Sequence, residues 1–262
     1  MSEAPILGLE LGDAAIDAAV AHWRAHGWAR LGRALTEDDV ARLRARADAM
    51  MLGEVRYEGL FFQRDADSGR YEDLEYGKGW QGPSLAYRKI EKLELDPLFR
   101  QVVELPAYGR VVRRVIEGDV TIYRAMLMTK SAAGGSDTPW HQDGGDFWGL
   151  DRDPELQIWT ALDDAPEDGG CVEVIDATHT GGLVTPQGGV VPERFWGPVA
   201  SRAIKLAARA GEALLIHNHV WHMAGRTRTG RARRAMTVCY MPAETRCRRT
   251  KRAPRAFVPV FR

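Results

Sequence analysis

Apolar residues recur at helical spacing near the start of the chain and at strand spacing over most of the remainder. Residues 13–26 place Ile16, Val20 and Trp23 on one helical face, and the pattern stops at Gly27. Because three to four residues separate these positions, the pattern predicts an amphipathic helix that packs one face against a core.

A second helix is predicted to begin after Thr36, since Thr36-Glu37-Asp38-Asp39 has the pattern of a capping box. It should run to about residue 50, and another helical stretch should run from Asp96-Pro97 to about Glu117. We expect these helices to pack outside a sheet. Between them, residues 53–85 are rich in glycine, charge and aromatic side chains without a clear period, which predicts a long loop.

Short strand-like segments follow one another along the second half of the chain. The first is an alternating pattern over residues 120–129. Further candidates lie at 156–162, 171–175, 203–207, 212–217 and 233–240. This spacing is typical of a β-sandwich or barrel, so the fold class is predicted to be mainly β with flanking helices. A chain of 262 residues favours a single domain over 1–262.

Charge and cysteine content narrow the class of protein. Lys plus Arg and Asp plus Glu each total 36, and the formal net charge is zero, so no global field favours nucleic acid or an anionic membrane. No apolar run has the length of a membrane span or the form of a signal peptide, which predicts a cytoplasmic protein. Cys171, Cys239 and Cys247 lack the spacing of a disulfide frame or a zinc site.

The segment Trp140-His141-Gln142-Asp143 carries the strongest chemical signal. On a strand, His141 and Asp143 point to the same face, so one segment presents an imidazole and a carboxylate to one metal ion. A histidine from elsewhere would complete the set of two histidines and one carboxylate that non-haem Fe(II) oxygenases use. The remaining metal positions would then be open for chemistry.

Three histidines compete to be the third ligand: His217, His219 and His222. Residue parity does not decide among them, because residues 218–221 are compatible with a turn. An isolated His-x-Asp pair is also common among ordinary surface residues. Its weight here comes from the neighbouring signals, above all an arginine, Arg233, on the strand that follows.

Further segments extend the pattern in order along residues 86–242. They are Trp159-Thr160-Ala161-Leu162, Asp168-Gly169-Gly170-Cys171, Gly211-Glu212-Ala213-Leu214-Leu215, His222 and Arg233-Arg234-Ala235. Together with Trp140–Asp143 they resemble the phytanoyl-CoA dioxygenase-like family of Fe(II)/2-oxoglutarate oxygenases. The resemblance implies a double-stranded β-helix, which is a jelly-roll, cupin-like barrel, and it implies Fe(II), 2-oxoglutarate and O2. It also favours His222 as the third ligand, with His141 and Asp143.

The resemblance implies that 2-oxoglutarate chelates the iron and buries its C5 carboxylate away from the metal. A buried carboxylate requires a partner, and a guanidinium fork supplies two charge-assisted hydrogen bonds, so Arg233 is the expected partner. Strand alternation places Arg234 on the opposite face, where a solvated side chain is expected. The resemblance further places Gln142, Trp159, Met126 and Lys89 around the cosubstrate, with Arg88 replacing Lys89 if the register slips by one residue.

The substrate is less defined. Asp143 supplies a carboxylate where halogenases of this broad class carry a small residue, which favours hydroxylation of an unactivated C–H bond over halogenation. Desaturation and epoxidation are other outcomes of the same chemistry. A small molecule in secondary metabolism is the favoured substrate, with an acyl-CoA or an amino acid as alternatives. The candidate substrate contacts are the aromatic residues Trp148, Phe147, Trp80, Tyr76 and Trp196.

The basic run over residues 247–255 supports a different class, a module that binds nucleic acid or another anionic partner. The run lacks interleaved aromatic residues for base stacking, so nucleic-acid binding is not expected. A third possibility is a metal-binding barrel without catalysis, or one that uses another metal for hydrolysis. That class gives no reason for Arg233 and Trp159 to occur together.

Overall fold

A computed structural model describes residues 5–250 and 255–262 of the protein. Helix α1 (Asp13–His26) forms where the apolar spacing predicts it, and α2 (Glu37–Leu52) follows a complete capping box. The Thr36 side chain accepts a hydrogen bond from the Asp39 backbone N–H, while the Asp39 carboxylate accepts one from the Thr36 N–H. These bonds satisfy backbone donors that the first helical turn leaves open.

The helical stretch predicted after Asp96 is two helices, α3 (Pro97–Val103) and α4 (Pro106–Val112). Proline is favourable at the first position of a helix and unfavourable in its interior, so Pro106 begins a new helix instead of continuing the old one. The Asp96 carboxylate caps α3 by accepting hydrogen bonds from two backbone N–H groups. A short helix, α5 (Glu193–Trp196), follows much later in the chain.

Thirteen strands lie in the described part of the chain. In chain order they are β1 (Trp28–Arg33), β2 (Phe61–Arg64), β3 (Tyr87–Glu91), β4 (Val120–Lys130), β5 (Thr138–Gln142), β6 (Leu156–Ala161), β7 (Val172–Ile175), β8 (Gly189–Val190), β9 (Ala203–Leu206), β10 (Glu212–His217), β11 (Trp221–Ala224), β12 (Arg233–Pro242) and β13 (Val258–Phe261). The segments predicted as strands all contain one, while β1, β2, β3, β8, β11 and β13 were not predicted.

The strands form two antiparallel sheets. The large sheet has the order β1-β10-β6-β12-β4-β3-β2, with β13 also paired to β4, and the small sheet has the order β8-β5-β11-β7-β9. This is the predicted jelly-roll architecture, mainly β with flanking helices, and the two sheets do not close into one continuous barrel.

The large sheet is buried on both faces, which explains why all six residues of β6 are buried. Ile158 faces outward into a core that it shares with residues of α1 to α4. Trp159 and Ala161 face inward and pack with residues of the small sheet, including Val174. Side chains of β6 thus alternate between a helix-covered core and the space between the two sheets.

The prediction of a long loop over residues 53–85 was wrong in part, because β2 and a 3-10 turn at Tyr71–Asp73 lie inside it. Strand β2 forms by pairing with β3, and Phe62 is buried against Tyr87 with ring centroids 5.3 Å apart. Four residues are too few to show a period, so the sequence alone did not reveal the strand. No helix in the described part of the chain is both long and apolar enough to cross a membrane.

Candidate metal centre and cosubstrate cavity

Strand pairing brings two histidines and one carboxylate together. In the small sheet, His141 of β5 lies directly opposite His222 of β11, and their ring centroids are 4.0 Å apart. Asp143 follows immediately after the end of β5. One ligand atom from each of the three side chains lies within 4.8 Å of the others. These three residues are the set that the sequence analysis expected to bind the metal.

Both histidines are held in the tautomer that suits metal binding. The Nδ1 of His141 lies 2.9 Å from the Pro139 carbonyl oxygen, and the Nδ1 of His222 lies 2.8 Å from that of Val220. Since a carbonyl oxygen only accepts, each Nδ1 carries the proton and each Nε2 keeps its lone pair. Burial, aided by the neighbouring His222, lowers the pKa of His141 to about 3, so that imidazole is neutral at neutral pH.

The Asp143 carboxylate is fixed by two side chains that the sequence analysis did not identify. Its Oδ2 accepts a hydrogen bond from the Gln157 Nε2 at 2.6 Å, and its Oδ1 lies 3.2 Å from Nη2 of Arg124. Burial alone would raise the pKa of Asp143, but Arg124 and the two imidazoles hold it well below its ordinary value. The carboxylate is therefore ionised and oriented, as a metal ligand requires.

The two competing histidines have other partners. His217 belongs to β10 of the large sheet. Its ring stacks on that of Trp23, and the two ring centroids are 5.2 Å apart. Its Nδ1 accepts a hydrogen bond from the His219 backbone N–H. The His219 Nε2 lies 3.1 Å from Asp153. Neither belongs to the metal-ligand set found among the described residues.

A cavity of about 740 Å³ lies between the two sheets and contains the candidate metal ligands. All the residues expected to contact the cosubstrate line it, namely Arg233, Gln142, Trp159, Met126 and Lys89. The cavity therefore brings together the metal-ligand set and the expected cosubstrate residues in one space.

Arg233 is a buried cation without an acidic partner among the described residues. Only 3% of the residue is exposed. Its Nη1 donates to the Met128 carbonyl oxygen at 3.1 Å, but its buried Nε has no hydrogen-bond partner in the described structure. Burial lowers the pKa of Arg233 to about 10. A buried guanidinium with a free N–H is costly unless a carboxylate approaches it, so this site fits the C5 carboxylate of 2-oxoglutarate.

Arg234 points to the opposite face, as predicted, but the expectation that it would be solvated was wrong. Its side chain is only 15% exposed. Its Nη1 lies 2.6 Å from Asp48, and its Nε lies 2.8 Å from Asp163. The large sheet is covered on this face by helices, so an outward residue of β12 is enclosed instead of exposed.

Two of the other expected cosubstrate residues have further roles. The Gln142 Nε2 donates to the carbonyl oxygens of Gly182 and His219, and its Oε1 accepts from the Val184 N–H. Both donor hydrogens of this amide are therefore committed to backbone groups that it fixes in place. The Lys89 Nζ lies 3.2 Å from Glu91.

Arg88, the alternative to Lys89, also lines the cavity. Its guanidinium donates to Gln63 and Thr138. The fold places both of these alternative cations at the same cavity.

Three of the five aromatic residues proposed as substrate contacts line the cavity: Trp148, Phe147 and Tyr76. The other two do not, and this part of the expectation was wrong. The guanidinium carbon of Arg56 lies 3.6 Å from the Trp80 ring centroid, and Trp80 packs against the helix-covered core. Trp196 packs near Trp140 in a separate cluster. The sequence does not show against which cluster an aromatic side chain packs. Trp80 and Trp196 could therefore not be distinguished from the three cavity residues by sequence alone.

The family model described as Phytanoyl-CoA dioxygenase (PhyH) matches residues 23–235. The chain belongs to the phytanoyl-CoA dioxygenase family. This confirms the resemblance inferred from the sequence and extends it toward the first helix. Fe(II), 2-oxoglutarate and O2 are the cofactor and cosubstrates of this family.

Curated relatives agree with the family. Phytanoyl-CoA dioxygenase domain-containing protein 1 of Bos taurus is 28% identical over 158 residues, which are 57% of this chain and 54% of that protein. The peroxisomal phytanoyl-CoA dioxygenase of Rattus norvegicus is 23% identical over 227 residues, which are 82% of this chain and 65% of that protein. The chain thus spans about half the length of the first of these relatives and about two thirds of the second.

Solved structures share the fold. The epimerase SnoN in complex with Fe3+, alpha-ketoglutarate and nogalamycin RO has a TM-score of 0.71 at 18% identity, covering 92% of this chain and 89% of that chain. EctD from S. alaskensis has a TM-score of 0.70 at 18% identity, covering 97% and 87%. At these identities the likeness establishes the jelly-roll fold of the phytanoyl-CoA dioxygenase family and no particular reaction.

Proposed function

We propose that this chain is an Fe(II)- and 2-oxoglutarate-dependent dioxygenase that hydroxylates an unactivated C–H bond of a small molecule. One observation carries the proposal. A single cavity contains a His-Asp-His set and a buried arginine, Arg233, without a carboxylate partner among the described residues. A metal site alone would not require Arg233, whose buried Nε keeps an unused donor that an incoming carboxylate could satisfy.

The candidate ligands would hold the metal on one side. His141 and His222 would bind through Nε2, and Asp143 through its carboxylate, which leaves the opposite positions open. Fe(II) with 2-oxoglutarate and O2 supplies oxidation of a C–H bond, with release of succinate and CO2. Gln157 and Arg124 would keep the carboxylate in its orientation.

The remaining residues would bind and enclose the cosubstrate. Arg233 would receive its C5 carboxylate through paired N–H bonds. Trp159 lies with its ring centroid 5.9 Å from the Arg233 guanidinium, and Met126 lines the same cavity. Both side chains would cover the methylene groups of the cosubstrate and exclude water from the buried ion pair.

The proposed outcome is hydroxylation in the tailoring of a natural product. The structural neighbours include an epimerase and a carbocyclase of nogalamycin biosynthesis, which supports a secondary metabolite as the substrate. The Asp143 carboxylate supports transfer of a hydroxyl group over transfer of a halide. Because these neighbours differ in their reactions, the product has to be identified directly.

The experiment is a screen of candidate small molecules that measures succinate and identifies the product. With a true substrate, we expect one molecule of succinate for each molecule of product. When the reaction runs under ¹⁸O2, one ¹⁸O atom should appear in the succinate and one in the hydroxylated product. Added chloride should not appear in the product. His222→Ala should abolish turnover, while His219→Ala, a histidine outside the ligand set, should retain it. Turnover without 2-oxoglutarate, or a chlorinated product, would contradict the proposal.

A further inference from the structure

The wall of the cavity is strongly basic. Among the described lining residues, six side chains are basic and two are acidic. The basic ones are Arg88, Lys89, Arg124, Arg233, Arg249 and Arg255, and the acidic ones are Glu91 and Asp143. The proposed Fe(II) would add positive charge and the 2-oxoglutarate dianion would offset it. An excess of positive charge therefore remains in the cavity for the substrate to meet.

Three of these arginines gather around one aromatic pair, and we call them the arginine cluster: Arg124, Arg249 and Arg255. The rings of Tyr123 and Trp148 stack with centroids 4.1 Å apart and an interplanar angle of 9°. The Arg124 guanidinium lies 4.5 Å from the Trp148 centroid, and that of Arg255 lies 4.5 Å from the Tyr123 centroid.

Arg249 lines the same cavity and is the exposed member of the cluster. Its Nη2 donates to the carbonyl oxygen of Phe147, next to Trp148. Burial raises the pKa of the Tyr123 phenol. The positive charges of all three arginines oppose that rise, because they lie close to it. Two cations thus lie over the rings of the stacked pair, and a third bonds to the backbone next to it.

The arginine cluster has unused hydrogen-bond donors. The Arg124 Nε is buried without a partner among the described residues, while one Nη contacts Asp143. Arg255 donates to the Tyr123 carbonyl oxygen, and Arg249 bonds to a carbonyl oxygen as well. Among the described residues, no carboxylate forms an ion pair with Arg249 or Arg255. Asp143 and Glu91 offset part of the charge of Arg124, and Glu91 and Glu94 act on Arg255 at longer range. Since none of these carboxylates forms an ion pair with Arg249 or Arg255, a further anion would reduce the repulsion among the three arginines.

The arginine cluster is distinct from the expected cosubstrate site. On the ladder between β12 and β4, Arg233 pairs with Lys130 at one end, whereas Arg124 pairs with Cys239 toward the other. Arg124 also contacts Asp143, so this member of the cluster lies beside the candidate metal ligands, while Arg233 lies toward the other end of the strand ladder. The anion that the cluster would bind is therefore a second one, in addition to 2-oxoglutarate.

Resting on the proposed function, we infer that the substrate carries an anionic oxyacid group, a carboxylate or a phosphate, that the arginine cluster binds beside the Tyr123–Trp148 pair. Guanidinium groups bind both kinds of anion through paired charge-assisted hydrogen bonds. Since Arg124 adjoins Asp143, an anchored anion would hold the neighbouring part of the substrate close to the metal. This also gives part of the basic run a role within the cavity, although residues 251–254 of that run lie outside the described residues.

The test uses the full chain with Fe(II) and saturating 2-oxoglutarate under anaerobic conditions, so the site of Arg233 is filled. Three probes of matched shape are compared by calorimetry: 2-naphthoate, 2-naphthyl phosphate and the neutral 2-naphthamide. At least one anion should bind about tenfold or more tightly than the amide. Whichever anion binds more tightly identifies the oxyacid group.

Variants locate the binding. Arg255→Gln should weaken binding of the preferred anion by about tenfold and leave the amide unchanged, and Arg255→Lys should restore part of the affinity. Arg249→Gln combined with Arg255→Gln should remove the preference for anions. Arg246→Gln is the matched control, because Arg246 is exposed in the same segment and does not line the cavity. It should change neither affinity.

Two results would overturn the inference: equal binding of the amide and both anions, or an effect of Arg255→Gln no larger than that of Arg246→Gln. The visible Fe(II)–2-oxoglutarate charge-transfer band, recorded in the same samples, separates this inference from the proposed function. If the band forms but anions are not preferred, only the inference fails. If the band does not form, the proposed function itself fails.

Discussion

Two neighbouring arginines of β12 lie in opposite environments. Arg234 faces outward and is held by Asp48 and Asp163, so its charge is balanced by the protein itself. Arg233 faces the cavity, is buried more deeply than Arg234, and has no carboxylate partner among the described residues. On one face of the strand the buried charge belongs to a structural ion pair, and on the other we propose that it binds a ligand. What distinguishes the two residues is the partner and not the residue type.

The largest expected effect comes from removing the inward charge. Losing one partner of a buried ion pair costs about 3 to 5 kcal/mol, and about 1.4 kcal/mol corresponds to tenfold in affinity. Arg233→Ala should therefore weaken 2-oxoglutarate binding by roughly a hundredfold or more. Arg233→Lys should restore only part, because a point charge lacks the paired geometry of guanidinium. Anaerobic titration of each Fe(II)-loaded variant with 2-oxoglutarate gives the affinities.

The iron content should be little changed in either Arg233 variant, since Arg233 contacts none of the metal ligands. The assignment of Arg233 to the cavity face would be contradicted if Arg234→Ala weakened 2-oxoglutarate binding more than Arg233→Ala does. That result would mean that the inward and outward residues of β12 had been exchanged.

A second effect concerns stability with and without the cosubstrate. A ligand at a hundred times its dissociation constant stabilises the folded state by about 2.7 kcal/mol. Adding Fe(II) and 2-oxoglutarate should raise the melting temperature of the unmodified protein and of Arg234→Ala by a similar increment. In Arg233→Ala at the same ligand concentration, most of the increment due to 2-oxoglutarate should disappear. Calorimetry with Fe(II) alone separates the effect of the metal from that of 2-oxoglutarate. If 2-oxoglutarate raised the melting temperature of Arg233→Ala as much as that of the unmodified protein, Arg233 would not be its carboxylate partner.

The outward arginine should matter for folding instead. Arg234→Ala leaves Asp163, which is 12% exposed, without its main partner. We expect a loss of about 2 kcal/mol in the free energy of unfolding, measured by urea denaturation. Affinity for 2-oxoglutarate should stay within about twofold. Asp163→Asn should cause a loss of the same order, and a double-mutant cycle should show coupling; full additivity would contradict the structural role.

The smallest effect lies on the outward face of β6. There the Tyr108 hydroxyl lies 2.6 Å from the Thr160 hydroxyl in the buried core, next to inward-facing Trp159. Tyr108→Phe should lower the free energy of unfolding by about 1 kcal/mol without altering 2-oxoglutarate affinity. A clear loss of cosubstrate affinity would show that the two faces of the sheet are coupled.

The sequence was sufficient where a local rule decides the structure. Alternation along a strand placed His141 and Asp143 on one face, and Thr36 marked the start of a helix. The choice of His222 rested on the family resemblance, and its physical reason appears only in the fold, where His222 pairs directly with His141 across the small sheet.

The sequence was insufficient where the partner is distant along the chain. Arg124 and Gln157 reach Asp143 from β4 and β6, and no local spacing connects them to it. For the same reason, Arg234 was expected to be solvated although helix α2 supplies Asp48 as its partner. Cross-strand register and helix packing determine such contacts, and neither can be read from a single sequence.

The central claim is that His141, Asp143 and His222 together hold Fe(II) and allow 2-oxoglutarate to chelate it. The most direct measurement is the visible Fe(II)–2-oxoglutarate charge-transfer band under anaerobic conditions. The unmodified protein, His217→Ala and His219→Ala should all show it, whereas His141→Ala, Asp143→Ala and His222→Ala should each lose it. A band that survives in His222→Ala but disappears in His219→Ala would contradict the account.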